Sequence, residues 1–192
     1  AARRKHGITS RFWIGTAGRL VGVKNHRLLI DAAGLLARRR SDFTVSIFGD
    51  GPLRGQLEQQ SEDRGLRGTV RLHGFEEDIL PVLGSLDVFT LCSKHEGLPM
   101  SLLESMALGT PVVVTAVGGM VEAVRGGCTG LAVPAGDPAA LGEAFASLLD
   151  DPGTAEALAR GARAALDAEF SIEATSRQLA SVYEDIAAAV GR

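Results

Sequence analysis

Apolar positions change their period repeatedly along this chain, and the changes mark out an alternation of strands and helices. Arg11–Thr16 (RFWIGT), Thr44–Phe48 (TVSIF), Val70–His73, Val88–Leu91, Pro111–Thr115 and Leu131–Val133 are short, nearly continuous apolar runs. That is the pattern of strands buried on both faces. Between them apolar residues recur at helical spacing. His26 to Arg39 carries Leu29, Ile30, Ala33, Leu36 and Ala37 on one stripe, whereas the polar, Gln/Glu-rich run Leu53–Arg64, closed by Gly65, reads as a surface helix. Shorter helices are predicted at Ile79–Leu83, after Pro99, and at Val121–Val124. Asp137 followed by Pro138 is a paired helix-start signal. The C-terminal third is helical and Ala-rich, with Leu179, Val182, Tyr183, Ile186, Ala187 and Val190 striped along its last segment. Strands alternating with helices predict an α/β domain whose six strands form a parallel sheet covered on both faces.

Ligands of open parallel sheets bind at the carboxyl ends of the strands. The glycine-rich turns at Gly18, Gly49 to Gly51, Gly74 and Gly118 to Gly119 all follow strands, so they are expected to line one edge together. The stretch His95–Gly119 (HEGLPMSLLESMALGTPVVVTAVGG) is the most informative. Pro99 suits a first helical turn, and the amides around it point outward with partial positive charge, which favours a phosphate. Glu104 lies in the apolar run Leu102, Leu103, Met106, Ala107, Leu108, where a carboxylate needs donors; sugar hydroxyls would serve. The competing explanation is a capping box, with Glu104 reaching back to the amide of Ser101. The loop GRLVGVK fits neither the dinucleotide fingerprint nor the P-loop, but it places Gly18 beside Arg19 and puts Lys24 just ahead of a helix. Two cations there would neutralise a diphosphate leaving group, although solvated loop charges are the commoner fate of Arg and Lys. Gly49-Asp50-Gly51-Pro52 is either a tight turn or a close approach of backbone to ligand. Gly74-Phe75 either offers main-chain groups to a base or ends a strand with a core aromatic. Nothing completes an acid–base pair around His95, and Asp87 and Glu122 read as structural.

Composition narrows the field. The chain has 192 residues, 45% hydrophobic and 22% charged, with a net charge of −3. One domain with a full core is expected, and no basic field for nucleic acid is available. Of the basic clusters, Arg38-Arg39-Arg40 falls where a helix should end and cations complement its dipole; the other is Arg3-Arg4-Lys5. Cys92 and Cys128 are far apart and lack CxxC spacing, which favours buried free thiols in a reducing compartment. No apolar run approaches the ~20 residues that cross a bilayer, and no secretory signal is visible.

The motifs GRLVGVKNHRLLIDA, VSIFGDGPLRGQLE, VRLHGF, LDVFTLCSKHEGLPMSLLESMALGTPVVVTAVGGMVEAV and TGLAVPAGDPAALGEA cover nearly the whole chain. Together they resemble the C-terminal, donor-binding domain of retaining glycosyltransferases of family 4, once called group 1, with the GT-B architecture. Glu96 and Glu104 match that family's E-x7-E motif. The resemblance implies a Rossmann-like three-layer domain forming one half of a GT-B enzyme. Residues 1–10 would be residual linker, 11–170 the nucleotide-sugar domain, and 171–192 a C-terminal helix packing on or crossing from it. It implies that Arg19 and Lys24 grip the diphosphate of a nucleotide sugar, that Glu96 contacts the donor sugar and that Glu104 binds the ribose hydroxyls. The amides around Leu98 to Leu102 would hold the distal phosphate. The donor-binding set is then Gly18, Gly49, Asp50, Gly51, Gly74, Phe75, Gly97, Leu98, Pro99, Met100, Ser101, Leu102 and Glu104. No metal and no cofactor are expected, and there is no Asp-x-Asp in the chain. Asn25 stands where the family commonly has Gly.

A GT-B enzyme needs an N-terminal domain of similar size for its acceptor, and here the donor motifs begin almost at once after a start without Met. The chain is therefore expected to be a piece of a cytoplasmic enzyme whose membrane contact, at an inner face, would run through the other half. Alone it should bind donor weakly and transfer little. The alternatives are a GT-B epimerase or phosphorylase, disfavoured by the absence of an evident cofactor lysine or added catalytic histidine, and a non-catalytic nucleotide-binding module.

Overall fold

The computed structural model describes residues 1–190, apart from the side chains of 178 and 188 to 190. In chain order the elements are α1 (Ala2–Lys5), β1 (Phe12–Ala17), α2 (His26–Ala37), β2 (Phe43–Phe48), α3 (Arg54–Asp63), β3 (Val70–Gly74), α4 (Leu80–Leu83) and β4 (Val88–Leu91). There follow α5 (Met100–Ala107), β5 (Val112–Thr115), α6 (Met120–Ala123), β6 (Leu131–Val133), α7 (Pro138–Asp150) and α8 (Pro152–Ala165). A π-helical turn (Leu166–Phe170) leads into α9 (Ile172–Val190). The predicted strands and helices are all present, with ends displaced by a residue or two.

The six strands form one parallel sheet in the order β3-β2-β1-β4-β5-β6. This is the Rossmann-like arrangement, and its strand order reverses between β1 and β4. Side chains alternate across the sheet. Ile14, Val45, Ile47 and Val113 pack into one apolar cluster with α2 and α7, while Trp13, Phe89, Val112 and Val114 pack into another with α4, α5 and α6. Two buried faces explain why these strands read as unbroken apolar runs. Asp137 caps α7 as expected, its side chain accepting from the amides of Ala139 and Ala140.

The N-terminal end departs from expectation. Residues 1–10, read as linker, are fastened to the domain: Ala2 and Ile8 are buried in the second cluster, and Arg3 donates to Asp87 at 3.0 Å. Three charged residues in the first five hide the two apolar anchors that hold the segment. The stripe of α9 faces outward: Leu179, Val182, Tyr183, Ile186 and Ala187 are exposed, Val190 lies outside the described side chains, and of the proposed last segment residues 191 and 192 are not described. The triple-Arg run is used in ion pairs, Arg39 with Glu143 and Arg40 with Asp42 and Asp150. Both thiols are free, but only Cys92 is buried; Cys128 is on an exposed Gly-rich loop. No helix among the described residues is long and apolar enough to cross a membrane.

Candidate functional site

The loops that leave β1 and β4 meet where the strand order reverses, Lys94 N donating to Val23 O at 2.8 Å. The other glycine-rich turns pack beside them, and all four lie on one edge. Gly18 N donates to Phe48 O, Leu20 N to Asp50 O and Gly49 N to Gly74 O. A Cβ on Gly49 (φ 130°) would come within 2.0 Å of Gly18 O, and one on Gly118 (φ 51°) within 1.7 Å of Glu96 O. Glycine is needed at these positions so that one protein loop can touch another. The close approach at Gly49 is to Gly18, and both residues also line the cleft described below. Asp50 turns back on its own loop, accepting from Gly51 N at 2.7 Å.

On this edge Lys24 forms an ion pair with Glu96, both side chains largely shielded from solvent. The pair joins the loop after β1 to Glu96 on the loop after β4. Arg19 is exposed, and its side chain has no partner among the described residues. Asn25 adopts a left-handed conformation (φ 53°, ψ 41°) directly before α2, which Asn tolerates better than most residues. His26, not singled out in the sequence, is buried with Nε2 donating to the carbonyl of Arg19 at 3.3 Å. Burial lowers its pKa to about 4 against the opposing effect of that hydrogen bond, so the ring is neutral. The signal for it was a polar residue opening an otherwise apolar helix.

Pro99 is the residue before α5 rather than its first turn, with extended backbone (φ −68°, ψ 134°). Leu102 N already donates to Pro99 O at 3.1 Å, so its amide is unavailable to an anion. The amides of Leu98, Met100 and Ser101 have no backbone or side-chain acceptor among the described residues, and Leu98, Met100 and Gly97 are exposed. Glu104, half-buried one turn into α5, makes neither a hydrogen bond nor an ion pair among the described residues. The capping box is therefore not formed; the Ser101 carbonyl instead accepts from Ser105 Oγ at 2.8 Å. Near the end of β4, Ser93 Oγ is buried without a partner.

Beyond β1, β2 and β3 the edge opens into a cleft of about 380 Å³ lined by Ala17, Gly18, Arg19, Phe48, Gly49, Asp50, Phe75, Glu76 and Ile79. Phe75 is 82% exposed and walls the cleft, so the core-aromatic reading of Gly74-Phe75 does not hold. Lys24, Glu96 and Glu104 do not line the cleft. Among the described residues no three His, Cys, Asp or Glu side chains are placed to hold a metal ion.

An apolar cleft with Arg19 in its lining, on the same sheet edge as a set of free amides, suits a ligand with a flat ring at one end and anionic groups further along. The chain is 34% identical over 186 residues to the alpha-D-kanosaminyltransferase of Streptomyces kanamyceticus, covering 96% of this chain and 48% of that protein. Its fold superposes on Anabaena Alr3699/HepE, solved in complex with UDP, with a TM-score of 0.86 at 27% identity, over 96% of this chain and 51% of the other; that protein has also been solved with UDP-glucose. The C-terminal domain of the group 1 glycosyl transferase LpcC from Francisella tularensis has the same fold, with a TM-score of 0.81 at 22% identity, over 88% of this chain and 91% of that one. The chain thus spans about half the length of the curated relatives it matches. The family model described as "Glycosyl transferases group 1" matches residues 1–165, taking in every strand of the sheet and the whole of this edge, and the chain belongs to that family.

Proposed function

We propose that this domain is the donor-binding half of a retaining, metal-independent glycosyltransferase that moves a sugar from a nucleotide-diphosphate sugar to an acceptor. The observation that carries the reading is the Lys24–Glu96 ion pair at the strand switch point, beside an apolar cleft and three free amides. The nucleobase lies in the cleft against Phe75. The diphosphate runs along Arg19 and the amides of Leu98, Met100 and Ser101. Its charge draws Lys24 away from Glu96, which releases the carboxylate toward the donor sugar. Glu104, which has no protein partner among the described residues, accepts from the ribose hydroxyls.

In the transfer step the bond from the anomeric carbon to the leaving phosphate oxygen breaks. The acceptor oxygen bonds to the same face of that carbon, and its proton passes to the departing phosphate. Two cations and a helix terminus supply the leaving-group stabilisation that a metal ion gives elsewhere. The acceptor site belongs to the preceding half of a GT-B enzyme, which would also govern any contact with a membrane from the cytoplasm. UDP and UDP-glucose bound to the Anabaena protein make UDP-sugars the first donors to test.

The test is a donor screen on the protein carrying its preceding half, with a chelator present. Release of one nucleoside diphosphate, unaffected by the chelator, with the donor's anomeric configuration kept in the product, supports the proposal. Inversion, or release that needs added metal, refutes those parts. No release from any donor despite nucleotide binding favours a non-catalytic module.

A further inference from the structure

Glu76 sits on the rim of the cleft next to an almost fully exposed Phe75, yet its own side chain is only 12% exposed. The groups that cover it come from ahead of β1. Lys5 Nζ donates to both carboxylate oxygens, at 2.8 and 2.9 Å, and His6 Nε2 lies 3.3 Å from Oε2 without the alignment of a hydrogen bond. The segment that carries them is pinned in turn, because Arg71 on β3 donates to the carbonyls of His6 and Gly7.

The same segment reaches the floor of the cleft. The His6 ring meets Phe48 and His73 edge-on, with centroids 5.1 and 5.0 Å away, and His73 lies flat on Phe48 at 4.7 Å. Ser46 Oγ accepts from Trp13 Nε1 at 2.8 Å and is hydrogen-bonded to His73 Nε2 at 2.9 Å, which fixes the ring beneath Phe48. Residues 5 and 6 therefore hold one wall of the cleft by charge and its floor by packing.

We infer that Lys5 and His6 are positioning residues for the nucleobase: they keep Glu76 and Phe48 in place without touching the ligand, so the segment ahead of the first strand sets nucleoside affinity. This rests on the nucleotide reading above. The clamp acts through order: a preformed wall spares the base the cost of ordering it.

The test compares UDP with inorganic pyrophosphate as ligands of the protein, by calorimetry, for Lys5→Glu, Lys5→Met and Lys5→Arg. Lys5 is well exposed, so the fold should tolerate all three. Lys5→Glu is expected to weaken UDP by about tenfold and pyrophosphate by no more than about twofold, with Lys5→Met between wild type and Lys5→Glu and Lys5→Arg near wild type. Unchanged UDP affinity in Lys5→Glu and Lys5→Met, or an equal loss for both ligands, overturns the inference while leaving the nucleotide reading intact. If the unaltered protein binds pyrophosphate but not UDP, GDP or ADP, the nucleotide reading itself is wrong and the inference falls with it.

Discussion

The two halves of the sheet's carboxyl edge are built by opposite means. Beyond β4 and β5 the polar groups are left open or paired with one another: three amides without acceptors, a Glu104 without a partner among the described residues, and a Lys24–Glu96 pair. Beyond β2 and β3 the shielded polar groups are satisfied within the protein, while Arg19, on the loop after β1, stays open among the described residues. Glu76 is neutralised by Lys5, His73 is bonded to Ser46, and what remains on show is the apolar surface of Phe75 and Ile79. Open polar groups invite a charged ligand, whereas a satisfied and rigid wall invites a flat one. In the function proposed above, phosphate and sugar take the first half and the base the second.

Four experiments break or sharpen that contrast. The largest effect should follow Gly118→Ala, which puts a methyl into the carbonyl of Glu96 and strains a left-handed backbone. Stability should fall by about 1–3 kcal/mol in urea unfolding, and pyrophosphate binding should be lost as the Glu96 loop moves. His26 tests the support beneath the charged half. The unfolded chain takes up this proton near pH 6.5 and the folded protein only near pH 4, so the unfolded state binds more protons in that window. Stability is therefore complete above pH 6.5 and declines as pH falls toward 4, by on the order of 3 kcal/mol for this residue. His26→Gln, which can still donate to Arg19 O, should flatten that part of the curve.

Glu104→Gln addresses the open acid directly. UDP affinity should drop about tenfold, roughly 1.4 kcal/mol, with the unfolding midpoint unchanged, because no hydrogen bond or ion pair among the described residues is lost. A loss of stability instead would show that the carboxylate serves the helix. Asn25→Gly should give the smallest change, a gain of about 0.5 kcal/mol from relieving a left-handed non-glycine residue, with ligand affinity unaltered.

The contrast also explains what could be read from the sequence. The strands, their parallel arrangement and the shared edge were legible because two-faced burial writes apolar runs and close loop contacts require glycine, whereas the strand order came only from the structure. The charged half was legible because its acids and cations are out of keeping with their surroundings, as Glu104 is within an apolar helix. The apolar half was not. Phe75 looks like any strand-end aromatic, and the clamp on Glu76 joins residues 71 positions apart through a segment whose charges resemble a solvated stub. Helix-end details were lost for a related reason: Pro99 fits either side of a helix start, and only the backbone shows that Leu102 has spent its amide.

The central claim is that one ligand spans both halves of the edge, and a UDP titration followed by backbone amide NMR tests it most directly. The account predicts that the signals of Phe75 and Glu76 and those of Leu98, Met100 and Ser101 shift together, with a single affinity. Shifts confined to one half, or centred on another face of the sheet, would contradict it.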